Sequence, residues 1–101
     1  MVEKAFPYLK KLHSFKPSYF TNKWLGQVYL HKNQYAAALT YLQEAVKDEQ
    51  VDYQTWYNIA GAYYYNGDTE KSIIAIRNSL NLQPGNQLAR DFYKQLMSIE
   101  K

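Results

Sequence analysis

Apolar residues in the second half of this chain return every three or four positions. Trp56, Ile59, Ala60 and Tyr63 stand at i, i+3, i+4 and i+7, the spacing that puts side chains on one stripe of an α-helix. That stripe belongs to a segment from Tyr53 to Tyr65. Asn66-Gly67-Asp68 follows; Gly67 suits the left-handed conformation that closes a helix, and Asp68 suits the cap of the next one. A second stripe, Ser72, Ile73, Ile76, Ser79 and Leu80, stops at Gln83-Pro84-Gly85, where proline cannot continue a helix. The pattern predicts two antiparallel helices joined by a tight turn.

The same plan recurs upstream at a period of about 34 residues. Tyr19, Thr21 and Tyr29 are answered by Tyr53, Thr55 and Tyr63, and Leu25-Gly26 by Ile59-Ala60. From Tyr19 to Asp52, Leu25, Gly26 and Tyr29 mark a first helix, Asn33-Gln34 a turn, and Ala38, Leu42 and Ala45 a second helix. Before this pair, Ala5, Leu9, Leu12 and Pro17 fit a second helix and its closing proline. Pro7 falls in the first turns of that stretch, so the helix is expected to begin there, where a missing N–H costs little, instead of running through it. After the second pair, Asn86 can cap a last helix holding Leu88, Ala89, Phe92, Tyr93, Leu96 and Met97. Lys94 stands in the slot of Gly26 and Ala60, and its long charged chain reads as the solvent-facing end of the array.

From Tyr53 to Asn86 the sequence resembles a tetratricopeptide repeat, whose pattern is W-x-x-L-G-x-x-Y, then A-x-x-x-F, then P. Trp56 stands at the tryptophan, Ile59 at the leucine, Ala60 at the glycine, Tyr63 at the tyrosine, Ser72 at the alanine, Ile76 at the phenylalanine and Pro84 at the proline. In the earlier copy Leu25, Gly26, Tyr29, Ala38 and Leu42 fit, while Asn22 replaces the tryptophan and Gln50 the proline. The resemblance implies an all-α fold of antiparallel helix pairs stacked in a right-handed superhelix, an α-α solenoid. Residues 1–17 would be the second helix of an incomplete repeat, 19–52 and 53–86 two repeats, and 87–101 a capping helix. It also implies a protein-protein interaction module that binds a peptide or protein segment in its concave groove. A start in mid-repeat leads us to expect the C-terminal part of a larger protein, with self-association through the incomplete N-terminal repeat as one consequence. The rival reading is an accessory or dimerisation domain of an enzyme whose catalytic part lies upstream.

In a first helix, the stripe next to the packing stripe is displaced by about 100°, and in stacked pairs it lines the concave surface. In the second copy this stripe comprises Tyr57, Gly61, Tyr64 and Tyr65, with Asn58 and Gln54 at its margin. In the first copy it comprises Phe20, Lys23, Gln27, Leu30 and His31. These are the expected peptide-binding residues, since tyrosine offers a large apolar contact and a hydroxyl at small conformational cost. The other reading is that the tyrosines pack against neighbouring helices. One subclass of the family clamps the carboxylate of a chaperone tail on this face. Lys23 and Asn58 match that clamp, but Gln27 stands where it has an asparagine, and Leu88 and Phe92 stand where it has two bases. Chaperone-tail binding is therefore not expected, because the carboxylate lacks most of its charge partners.

Composition narrows the rest. A chain of 101 residues, 47% hydrophobic and 21% charged, suits one small folded unit. The absence of cysteine excludes a disulfide framework, a thiolate zinc site and a cysteine nucleophile. No apolar run approaches the ~20 residues needed to span a bilayer, so no membrane insertion is expected. The compartment stays open between cytoplasmic and periplasmic. A net charge of +3 is too small to imply nucleic acid, yet it is unevenly spread. Lys4, Lys10, Lys11, Lys16, Lys23 and Lys32 crowd the first third, opposed only by Glu3, whereas Glu44, Asp48, Glu49, Asp52, Asp68 and Glu70 dominate the middle. This is either a solvated surface or a docking site for an acidic partner; a weaker third reading is an anionic polymer on the basic end, marked by steep salt dependence. His13 and His31 read as ordinary surface or groove histidines, and Asp48, Glu49 and Asp52 as solvated carboxylates. With no phosphate-binding loop, nucleophile elbow or H-E-x-x-H, no catalytic residue, metal ligand or cofactor is expected.

Overall fold

A computed structural model describes residues 2–100, and within it the side chains of residues 2–5 and of residue 100 lie outside the description. Ala5, placed in the first stripe by its spacing, is among those side chains. Among the described residues there are six helices and no strand: α1 Val2–Phe15, α2 Tyr19–His31, α3 Tyr35–Ala45, α4 Tyr53–Tyr65, α5 Thr69–Leu82 and α6 Gln87–Glu100. Composition suggests one unit, but the internal contacts divide the chain into two, Met1–Val51 and Asp52–Lys101. Repeats of this kind bury each helix against its sequence neighbours, so their cores are local.

In the first unit α2 packs against both α1 and α3. The helix starts where Ser18 accepts a hydrogen bond from the Thr21 backbone N–H at 3.1 Å, while the Thr21 hydroxyl accepts from the Ser18 N–H at 3.0 Å. This reciprocal cap satisfies two donors that a helix start leaves over, and it explains a threonine that is only 1% exposed. Leu25, Leu42, Ala38 and Ala45 are fully buried, and burial of each leucine contributes about 1.5 to 3 kcal/mol. Gly26 lets the α2 backbone approach Leu42: a β-carbon there would lie 2.5 Å from Leu42 Cγ.

Four rings run across the three helices. Phe6 meets Tyr29 edge-on at 5.3 Å, Tyr29 stacks on Tyr41 at 5.4 Å with 6° between planes, and Tyr41 meets His13 at 5.4 Å. His13 Nδ1 is also 2.7 Å from the Thr21 hydroxyl, which ties α1 to the cap of α2.

In the second unit α5 packs against both α4 and α6. Asp52 caps α4 by accepting from the Thr55 N–H at 2.8 Å and the Thr55 hydroxyl at 2.6 Å. Asp68 caps α5 through the Lys71 N–H, and Asn86 caps α6 through the Ala89 N–H. Ile59, Ala60 and Ile76 are buried. Where the first unit has Ala38 and Ala45, this one has buried Ser72 and Ser79, whose hydroxyls donate to the carbonyls of Ala60 at 2.7 Å and Tyr53 at 2.8 Å. A buried hydroxyl is tolerated because it finds an acceptor on the facing helix.

The two tight turns share one geometry. After α2 the Gln34 N–H donates to Tyr29 O and the Asn33 N–H to Leu30 O; after α4 the Asp68 N–H donates to Tyr63 O and the Gly67 N–H to Tyr64 O. These are paired bonds that close a helix through a left-handed residue, Asn33 at φ 60° and Gly67 at φ 90°.

The expectation at Pro7 is corrected. α1 begins at Val2 and runs through the proline. A proline this near a helix start removes one backbone bond, and the exposed position of Pro7 leaves its ring clear of the core, so the packing of Leu9 and His13 against α2 carries the helix through. Lys94 is exposed on α6, as its place in the pattern implies.

Candidate aromatic site on α4 and α6

Helix α4 presents two neighbouring stripes. Ile59 and Ala60 point into the core; Tyr57, Asn58, Gly61 and Tyr64 are half-buried, and Tyr65 is 64% exposed. Tyr57 and Tyr64 both meet the ring of Phe92 on α6, at 5.9 and 5.7 Å, and Tyr64 meets Tyr65 at 5.1 Å. The edge-to-face arrangements suit aromatic quadrupoles. Tyr57 and Tyr64 thus fasten α4 to α6 on one edge and keep part of each ring in solvent on the other.

At the start of α6, beside this cluster, Tyr53, Gln54, Tyr57, Asn58, Asn86 and Leu88 surround a cavity of about 180 Å³. None of these six side chains is charged. Leu88 is 68% exposed, far more than a leucine with a packing role. Asn58 Nδ2 is buried without a hydrogen-bond partner. A buried donor left in that state costs on the order of 1 to 3 kcal/mol, and Asn58 is also one of the residues that line the cavity. Gly61 adds room: a β-carbon placed there meets nothing within 4 Å, so close helix packing is not what requires a glycine.

The expected residues on α2 form a stripe of their own in the first unit. Phe20 is 56% exposed, His31 is exposed in the last turn, and Lys23, Gln27 and Leu30 are half-buried. Gln27 Oε1 is buried without a partner, a second orphan polar atom on an expected site residue. The stripe includes a residue that spacing did not single out, Trp24, whose ring meets Phe20 at 5.8 Å and lies under the Lys23 ammonium at 5.7 Å. Tyr53 stands at the start of α4, outside the stripe that spacing marks, and only the return of the chain into α6 brings Asn86 and Leu88 beside Asn58.

No group of three or more His, Asp or Glu side chains able to hold a metal occurs among the described residues, and none of their helices is long and apolar enough to cross a membrane. Asp52 is occupied as the cap of α4.

The tetratricopeptide repeat model matches residues 24–47 and 53–86. No curated protein matches the chain. Among solved structures, the chain is similar to the first TPR of Spaghetti (RPAP3) bound to the HSP90 peptide SRMEEVD, with a TM-score of 0.89 at 15% identity over 97% of this chain and 79% of that one. At that identity the likeness speaks for the fold: an all-α arrangement of the tetratricopeptide type.

Proposed function

Because the chain belongs to the tetratricopeptide repeat family, we propose that it is a protein-protein interaction module whose principal peptide contact is the α4–α6 site. The observation that carries this reading is the unpartnered Nδ2 of Asn58, a residue that lines an uncharged, partly aromatic cavity. A bound segment supplies the missing acceptor through a main-chain carbonyl and sets an apolar side chain against Leu88 and Tyr57. Tyr64, Tyr65 and Gly61 extend the contact along α4. On the first unit, Phe20, Lys23, Gln27, Leu30 and His31 are peptide contacts in their own right, with Lys23 and Gln27 suited to the polar backbone or an acidic side chain. The likeness to a peptide-bound repeat domain supports the class of function. It does not carry over that domain's ligand, since Leu88 and Phe92 bring no charge to a terminal carboxylate.

The test is selection of peptides from a random displayed library on the intact chain, followed by titration of a recovered uncharged peptide. Asn58→Ala and Leu88→Ala should each weaken binding about three- to tenfold, the scale of one hydrogen bond or one apolar contact, with the melt unchanged for Leu88→Ala and not lowered for Asn58→Ala, which removes an unsatisfied buried donor. Recovered peptides whose affinity ignores both substitutions would move the site elsewhere.

A further inference from the structure

On the first unit, two lysines from different helices converge on one ring. The ammonium of Lys10, on α1, lies 5.3 Å from the centroid of Phe6, and that of Lys32, at the end of α2, lies 4.7 Å from the same centroid. Both side chains are exposed, and neither has a carboxylate partner among the described residues. The sequence supplies few candidates: from Lys4 to Gln43 there is no Asp or Glu. Phe6 is held edge-on by Tyr29 and half-buried, so the ring is a fixed platform. Attraction of ammonium groups to an aromatic face gathers two like charges with no carboxylate of the described residues beside them.

We infer that this rim is a docking surface for an acidic segment of a partner protein, whose carboxylates bridge Lys10 and Lys32 over Phe6. Charge complementarity selects the occupant. Lys11, also exposed on α1, adds to the positive field, which steers an anionic segment during encounter. A nucleic acid fits less well. Phosphate is best gripped by the guanidinium fork, and both arginines, Arg77 and Arg90, lie in the other unit; the lysines also occupy the ring where a base would stack. At the ring itself a bilayer finds no wedge to insert, since Phe6 is half-buried against Tyr29; the exposed Tyr8 and Phe15 on α1 make vesicles a necessary arm of the test. The rim is separate from the α4–α6 site, and its failure would leave that reading untouched.

The experiment is an NMR titration of the intact, isotopically labelled chain with an end-capped oligoglutamate, at low and high sodium chloride. Saturable shifts should centre on α1 and Lys32 and spare α6. Lys10→Gln and Lys32→Gln should each raise the dissociation constant about two- to fivefold, as for exposed ion pairs, and high salt should abolish binding. Lys94→Gln, at an exposed lysine of the second unit, and Asn58→Ala should change nothing. All three lysine changes are at the surface, so folding is preserved. Absence of saturable shifts, or equal weakening by Lys94→Gln, overturns the proposal. So does a titration in which oligo-dT or mixed phosphatidylcholine and phosphatidylserine vesicles move the α1 signals while oligoglutamate does not.

Discussion

Leu42 occupies the space that a β-carbon on Gly26 would need, with its Cγ and Cδ2 at 2.5 and 2.6 Å from that point. Leu42 is fully buried, and the atom in closest conflict is the branch point of its side chain, so it cannot swing clear. Gly26→Ala should therefore destabilise the chain by about 1 to 2 kcal/mol: overpacking costs up to about 3, and better helix propensity returns at most about 1. Gly61→Ala should do the opposite and stabilise by about 0.5 to 1 kcal/mol, since that position is open. Urea melts of the two variants check the contrast. If Gly61→Ala also weakens peptide binding, a ligand backbone runs against α4 there.

Ala60 and Lys94 hold the same slot on α4 and α6, one fully buried and one exposed. Ala60→Leu should cost on the order of 1 to 3 kcal/mol, whereas Lys94→Leu should stay within about 0.5 kcal/mol, as surface changes do. Equal shifts in denaturant midpoint would contradict the contrast between a packed slot on α4 and an open one on α6.

Gly67 holds φ 90°, a region that costs a residue with a β-carbon about 1 to 2 kcal/mol. Gly67→Ala should lose that amount. Gly67→Asn should lose less, because Asn33 already adopts φ 60° in the matching turn. Thermal melts of the two variants measure the difference.

The turn shows why so much of the fold was legible from sequence. Helix stripes, capping residues and left-handed positions are local signals, so the limits of α4, the turn at Gly67 and the caps at Asp68 and Asn86 follow from neighbours in the chain. At Pro7 the local penalty loses to the packing of α1 on α2, which no neighbour in the chain announces. The ladder from Phe6 through Tyr29 and Tyr41 to His13 was not legible at all, since it needs the register of three helices at once. The candidate site was half legible. Spacing put Tyr57, Asn58, Tyr64 and Tyr65 on one face, but the contacts of Tyr57 and Tyr64 with Phe92, and the arrival of Asn86 and Leu88 beside Tyr53 and Asn58, depend on where α6 returns.

That double role gives the tyrosines different expected behaviour. Tyr65→Ala, at an exposed ring that meets Tyr64 of the same helix, should weaken peptide binding by about 1 to 2 kcal/mol and lower the melt less than Tyr57→Ala or Tyr64→Ala. Tyr57→Ala and Tyr64→Ala should lower both stability and affinity, because each also removes an aromatic contact worth about 0.5 to 1.5 kcal/mol. Parallel calorimetric melts and peptide titrations separate the cases. A Tyr65→Ala variant with full affinity would limit the contact to the cavity beside Asn58.

The parallel rings of Tyr29 and Tyr41 make the first unit optically distinctive. Phenol groups locked 5.4 Å apart with 6° between their planes sit in a fixed chiral field and absorb left- and right-handed circularly polarised light unequally, a near-ultraviolet signal that vanishes when side-chain packing loosens even if helices persist. The chain also carries one tryptophan in each unit, Trp24 and Trp56. Dichroism of the stacked phenols and emission from a Trp24→Phe variant would therefore follow the melting of each half in the same cuvette, with no label attached.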